Sequence, residues 1–185
     1  MAPPRNTENI CSILNQYPSW YWDAQHSNQK WGIPIYVQFA IIRQESSFDS
    51  AARPPREKLV GLIPWARPTT AYGYAQAVND TWTLYQNDTK NYKSNRDQFA
   101  DAVDFLGWYG NLSSRQLGIS RNNAYALYLA YHEGIQGYAE GTYRQKAWLI
   151  DVAKKVQDYS KMYKIQLQGC QKSIPKPSIW NLWLT

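Results

Sequence analysis

The 185-residue sequence contains no run of eighteen apolar residues, so no segment is expected to cross a membrane. Its two cysteines and two histidines (His26 and His132) include no C-x-x-C pair, a supply too small and too scattered for a structural zinc site. No metal and no other cofactor is expected. Charged residues are few, 18% against 44% hydrophobic, and that balance excludes general disorder. No internal repeat is present, and no segment reads convincingly as a strand. The opening residues, Met1 to Arg5, lack the apolar stretch of a signal peptide, which leaves either a cytosolic protein or a processed chain.

Aromatic rings are what the sequence has in excess: 9 Trp, 15 Tyr and 4 Phe. Trp and Tyr carry polar tips, so such a surplus suits a cleft that stacks on sugar or base rings; an aromatic-rich core is the plainer alternative. Charge is uneven. Met1 to Tyr143 holds twelve basic and twelve acidic residues, so the net +6 lies entirely in Arg144 to Thr185, with eight basic and two acidic. A basic segment suits an anionic partner, or is the solvated face of a C-terminal helix. A nucleic-acid partner is not expected. There is no helix-turn-helix, zinc or RNP-type signature, and the aromatics do not alternate with basic residues on a strand. Cys11 and Cys170 stand near opposite ends of the chain. They are either a disulfide tying the N-terminal segment to the last helix or two separate buried thiols. In the chain-entropy model a bridge closing so long a loop contributes about 4–5 kcal/mol at the upper end.

The length suits one domain, 1–185. Apolar spacing predicts helices over 19–31, over 35–48 after Pro34, and over 79–88 with Asn79 or Asp80 as N-cap. Further helices are predicted over 97–114, over 121–133 ended by Gly134 and Gly137, and over 144–164 with a stripe of Leu149, Val152, Val156, Tyr159 and Tyr163. The class is all-α, with a core over about 19–164. Between the second and third helices, 49–70 is rich in Pro and Arg and reads as an irregular loop of the length that is often functional. The tail 169–185 reads as extended, with Trp180, Leu182 and Trp183 docking somewhere on the body.

Three short segments can carry chemistry. Glu45 lies one turn after Ile41 and Ile42 and three residues before Phe48. A carboxylate on that apolar face is partly desolvated, which raises its pKa and lets it hold a proton near neutrality, as a general acid for glycosidic cleavage must. The alternative is an ordinary surface glutamate. Gly73 and Gln76, within Tyr72-Gly-Tyr74-Ala75-Gln76, combine close backbone approach with paired donors and acceptors for sugar hydroxyls and acetamido groups. Tyr131, on the apolar face of its helix, needs a buried partner for its hydroxyl, and a carboxyl would serve.

In this order, Glu45-Ser46, Gly73-Tyr74-Ala75-Gln76 and Ala130-Tyr131-His132 resemble the Glu-Ser, Gly-Leu-Met-Gln and Ala-Tyr-Asn motifs of the lytic transglycosylase domain of the soluble lytic transglycosylase (SLT) type. That family belongs to the lysozyme-like superfamily, and the resemblance covers roughly Trp31 to Val156. It implies a lysozyme-like helical fold and cleavage of the β-1,4 bond between N-acetylmuramic acid and N-acetylglucosamine in peptidoglycan. Glu45 would be the sole acid and base, with the muramyl 6-hydroxyl closing on C1 to a 1,6-anhydro end. Tyr131 would orient Glu45, and Ser46, Gly73 and Gln76 would line the subsites. Phe48, Tyr72 and Tyr74 would stack on sugar rings. Peptidoglycan strands would be the partner, the enzyme a monomer, and its place the periplasm or cell envelope.

The departures bear on that reading. Tyr74 and Ala75 replace Leu and Met, and His132 and Glu133 stand where the family usually has Asn and Ala. Glu133 adds a carboxylate that could raise the pKa of Glu45, activate water, or pair with a basic residue. The interval from Glu45 to Gly73 is longer than the family's, so 49–70 reads as an insertion that shapes access or contacts peptide stems. The rival readings are a muramidase like goose-type lysozymes, using water with Asp49 or Glu133 as partner, and a non-catalytic wall-binding module.

Overall fold

The computed structural model describes residues 1–54 and 70–176 and, between them, the backbone of two short strands. The helices are α1 (Ile10–Gln16), α2 (Ser19–Trp31), α3 (Ile35–Ser46), α4 (Asn79–Thr89), α5 (Phe99–Leu117), α6 (Ala124–Glu140) and α7 (Ala147–Cys170). Strands β1 (Lys58–Leu59) and β2 (Ile63–Pro64) pair antiparallel, Lys58 opposite Pro64 and Leu59 opposite Ile63. This ladder falls in the stretch expected to be irregular, and two residues a side leave the class all-α. None of the described helices is long and apolar enough to cross a membrane.

The helix ends follow local chemistry, with four departures from expectation. Helix α1 was not anticipated. It is a single seven-residue segment, yet its signals are present: Asn9 caps it by accepting from the Ser12 N–H (3.1 Å), and Ile10, Ile13 and Leu14 form its buried side. Helix α4 is preceded by Val78 as N-cap rather than starting after Asn79 or Asp80. The Asn79 N–H is taken by Thr70 Oγ1 (3.0 Å), and Asp80 falls in the first turn, where its charge suits the helix dipole. Helix α6 does not stop at Gly134. The backbone breaks there (φ 76°, ψ 164°), a conformation nearly reserved for glycine, and helix resumes to Glu140. Helix α7 starts at Ala147, after a 3₁₀ turn over Thr142–Gln145, and continues to Cys170. The tail therefore begins as helix and a second 3₁₀ turn (Gln171–Ser173), not as extended chain. The docking expected of Trp180, Leu182 and Trp183 lies outside the described residues, as does most of 49–70.

The helices pack α2 on α5, α3 and α6 on α7, and α5 on α6. Twelve of the aromatic residues are buried in that interior. Trp20 stacks on Phe99 at 4.0 Å between centroids, flanked by Phe39, Phe48 and Tyr74. A second group joins Trp82, Tyr85, Phe105 and Trp108. Several polar tips are satisfied by carboxylates: the Tyr85 hydroxyl and the half-buried Trp31 indole N–H each donate to Asp104 (2.7 Å), and the Trp108 indole donates to Asp88 (2.6 Å). Phe48 and Tyr74 are 0% and 1% exposed, so neither can stack on a sugar. The left-handed turn at Ser47 and Phe48 (φ 51° and 65°) carries the Phe48 ring back into the core.

The N-terminal segment is stitched to the far end of the chain. Cys11 and Cys170 form a disulfide, with Cα atoms 5.9 Å apart. Beside it the Ile10 N–H donates to Gln166 Oε1 (2.9 Å), and the Tyr163 hydroxyl donates to the Thr7 carbonyl. Arg43, two residues before Glu45, points to this seam. It donates to the Thr7 carbonyl (3.0 Å) and the Glu8 carboxylate and lies over the Tyr159 ring at 3.6 Å.

Candidate active site

Arg43 and Glu45 leave α3 on different sides. Helical spacing puts Gln38, Ile41, Ile42 and Glu45 toward the interior, and Ile41, Ile42 and Gln38 are all buried. Glu45 is the last of this series and meets a cavity of about 360 Å³. Gln76, Ala77, Val78, Thr81, Phe105, Tyr109, Tyr131, His132, Glu133 and Gly134 line it with Glu45. Part of the Glu45 side chain is reached from the cavity, but protein surrounds the carboxyl on nearly every side. That burial pushes its pKa up from 4.5 to about 7, against the opposing effect of a hydrogen bond from the Tyr128 hydroxyl. Burial, not a second carboxylate, is the cause.

Tyr128 is the residue sequence reasoning missed. It was visible on the same α6 stripe as Tyr131, one turn earlier, and its interaction with the Glu45 carboxyl favours the anion. Tyr131 was expected to orient Glu45. Its hydroxyl instead donates to the Ala75 carbonyl of the 72–77 turn, and its ring meets Tyr109 edge-on (5.4 Å between centroids). It still lines the cavity, and the nearby Glu45 charge opposes its ionisation after the larger effect of burial.

The 72–77 turn is a tight reversal closed by an antiparallel bridge between Tyr72 and Ala77. Gly73 (φ 77°) is required there, since a Cβ would stand 2.1 Å from the Arg96 carbonyl oxygen. The Gly73 N–H donates to the Ala52 carbonyl (3.0 Å), and Ser46 Oγ donates to the Tyr74 carbonyl (2.8 Å). Ser46 thus holds the turn against the end of α3 and Gly73 holds it against Ala52, and neither lines the cavity. Gln76 does line it, in a left-handed conformation (φ 51°) locked by its amide, which donates to the Ala52 and Gly73 carbonyls (2.8 and 2.9 Å). Tyr72 is not on the cavity either. The Arg53 guanidinium covers its ring at 4.2 Å, and its hydroxyl donates to Asp97 (3.2 Å).

His132 and Glu133 also line the cavity, at the break in α6. The Glu133 side chain is 3% exposed, covered by the arm of Lys146 and by Thr142 and His132 rather than by core. Lys146 Nζ donates to both its oxygens (2.8 and 2.9 Å), Thr142 Oγ1 donates to Oε2, and His132 Nδ1 is 3.1 Å from Oε1. Burial alone would raise its pKa, but these bonds and the Lys146 charge prevail and bring it down to about 2. Asp49, the other carboxylate considered, accepts from the Ala51 N–H (2.9 Å) to close a turn and is not on the cavity. Among the described residues no group of His, Cys, Asp and Glu is arranged to hold a metal ion.

The cavity therefore offers one carboxyl able to carry a proton near neutrality, one fixed carboxylate salt-bridged to an ammonium, an amide from Gln76 and several aromatic rings. A family model described as Transglycosylase SLT domain matches residues 1–170. No curated protein and no solved structure matches the sequence significantly.

Proposed function

The chain belongs to the transglycosylase SLT domain family, and from that premise we propose that it is a peptidoglycan lytic transglycosylase with Glu45 as its single acid and base. The observation that carries this reading is the state of Glu45. It is the one cavity carboxyl held protonated near neutrality by burial, while Glu133 is committed to Lys146.

Glycosidic cleavage with two carboxylates uses one as acid and the other as nucleophile or as base for water. With one free carboxyl, the second function has to come from elsewhere. Glu45 donates its proton to the oxygen linking N-acetylmuramic acid to N-acetylglucosamine as that bond breaks. The carboxylate left behind takes the proton of the muramyl 6-hydroxyl as that oxygen bonds to C1. The product is a 1,6-anhydro end, and no water is consumed. The internal nucleophile has the advantage of proximity. Tyr128 steadies the carboxylate between the two proton transfers, and Gln76 and Tyr131 define the wall facing it. The expected setting is the periplasm or cell envelope, where a Cys11–Cys170 bridge persists, and the expected working form is a monomer.

Digestion of purified peptidoglycan sacculi, with mass spectrometry of the soluble fragments, tests this. Muropeptides one water lighter than hydrolysis products are expected. Reducing ends in their place would make the protein a muramidase, and no release would leave a wall-binding role.

A further inference from the structure

Trp148, the second residue of α7, is 57% exposed, although its neighbour Leu149 is fully buried. The exposed indole is nonetheless held in place. Its ring meets the His132 ring edge-on, with centroids 5.2 Å apart and planes at 76°. His132 in turn lines the Glu45 cavity and sits 37% exposed at its rim. Its Nδ1 faces the Glu133 carboxylate, which stays ionised through Lys146 and Thr142. With Nδ1 turned to this ionised partner, Nε2 is the ring nitrogen left to meet a ligand.

We propose that Trp148 and His132 form a saccharide-binding subsite on the rim of the cleft, outside the position where the bond is cleaved. Resting on the reading of Glu45 as catalytic, this subsite takes a pyranose of the glycan strand beyond the reacting pair. The C–H face of the sugar ring lies on the open indole face, and a sugar hydroxyl pairs with His132 Nε2. Three features fit that ligand class. An open indole face suits the apolar face of a ring that is polar at its edges. The adjacent ring nitrogen gives orientation. The Glu133–Lys146–Thr142 network fixes both groups before binding, which lowers the ordering cost of association. Trp148 is a binding residue and touches no reacting atom.

The test has two readouts on the full chain. In the first, tetra-N-acetylchitotetraose is titrated into ¹⁵N-labelled protein, following the indole N–H signal assigned by its loss in Trp148→Ala. In the second, steady-state release from sacculi is measured. That signal should shift on titration, and Trp148→Ala should bind about tenfold more weakly, the scale of one lost stacking contact. The KM for sacculi should rise by a similar factor with kcat nearly unchanged. Trp148→Phe should recover most of the binding. Glu133→Gln, which releases His132, should weaken it by a smaller factor.

An indole signal unmoved at saturation, or a Trp148→Ala protein with wild-type KM, would overturn the subsite and leave the catalytic reading intact. Binding through Trp148 without any release from sacculi would keep the subsite and overturn the catalytic reading. A wild-type protein that neither binds nor releases overturns both.

Discussion

Glu45 and Glu133 line the same cavity, and their carboxyls are pushed in opposite directions, to about 7 and about 2. Glu45 ends a buried helix and has a tyrosine hydroxyl as partner, so its charge is poorly solvated. Glu133 sits where α6 breaks at Gly134 and the chain returns to bring Lys146 and Thr142 onto it. Two glutamates in one cleft thus divide into a proton carrier and a fixed anion, and the division is made by surroundings rather than by residue type. The fixed anion ties together α6, the 3₁₀ turn and the start of α7.

The most severe way to break this contrast is Glu45→Gln. Release from sacculi should fall by at least about a hundredfold, since general acid–base catalysis alone contributes about 10²–10⁴. Near wild-type activity would assign the chemistry elsewhere. Stability should move the other way. A carboxyl whose folded pKa lies above its unfolded value binds more protons when folded between pH 4.5 and about 7, so its contribution to stability is lost as pH rises through that window. Above it, Glu45→Gln should be more stable than wild type by up to about 3 kcal/mol, and at pH 4 the two should melt together. Thermal melts at the two pH values check this.

The pH profile is next in size. With Glu45 required in its protonated form, kcat should fall about tenfold per pH unit above roughly 7 in a single descending limb. A limb centred near 4.5 would mean that the carboxyl is not desolvated in solution. Tyr128→Phe should lower kcat about tenfold and move the limb upward, because the lost hydrogen bond favours the anion. A profile unchanged in height and position would return the orienting role to Tyr131.

Glu133→Gln should do least. Removing the carboxylate leaves Lys146 half-exposed and solvated, so denaturant midpoints should fall by the equivalent of about 1 kcal/mol. The limb set by Glu45 should stay where it is. A shift of that limb would show the two carboxyls coupled across the cavity and erase the contrast.

Much of the fold was legible because it rests on short-range signals. Pro18, Gly32 and Pro34 mark the ends of α2 and the start of α3, and the apolar spacing of α5 and α7 is regular over several turns. Helix α1 was overlooked because its seven residues offer too few turns for a period, although Asn9, Ile10, Ile13 and Leu14 carry the cap and the face. The end of α6 was misplaced because a glycine's local preference does not say whether helix resumes beyond it. Gly134 is a kink, and Gly141 is the stop. At the candidate site, Glu45 was readable from its two isoleucines, whereas Tyr128 and Tyr131 lie on one stripe and spacing cannot say which hydroxyl reaches the carboxyl.

By itself, then, the sequence determined that the chain is helical, where most helices lie, and which three segments carry glutamate, turn and tyrosine. Those properties depend on neighbours within a few residues. Tertiary structure alone decided that Phe48 and Tyr74 fill the core, that Ser46 and Gly73 brace a turn, and that Glu133 is matched to Lys146. It also decided how each glutamate holds its proton. A pKa depends on what surrounds the carboxyl in space, and here the groups that set it, Tyr128 for Glu45 and Lys146 for Glu133, reach it only once the chain has folded.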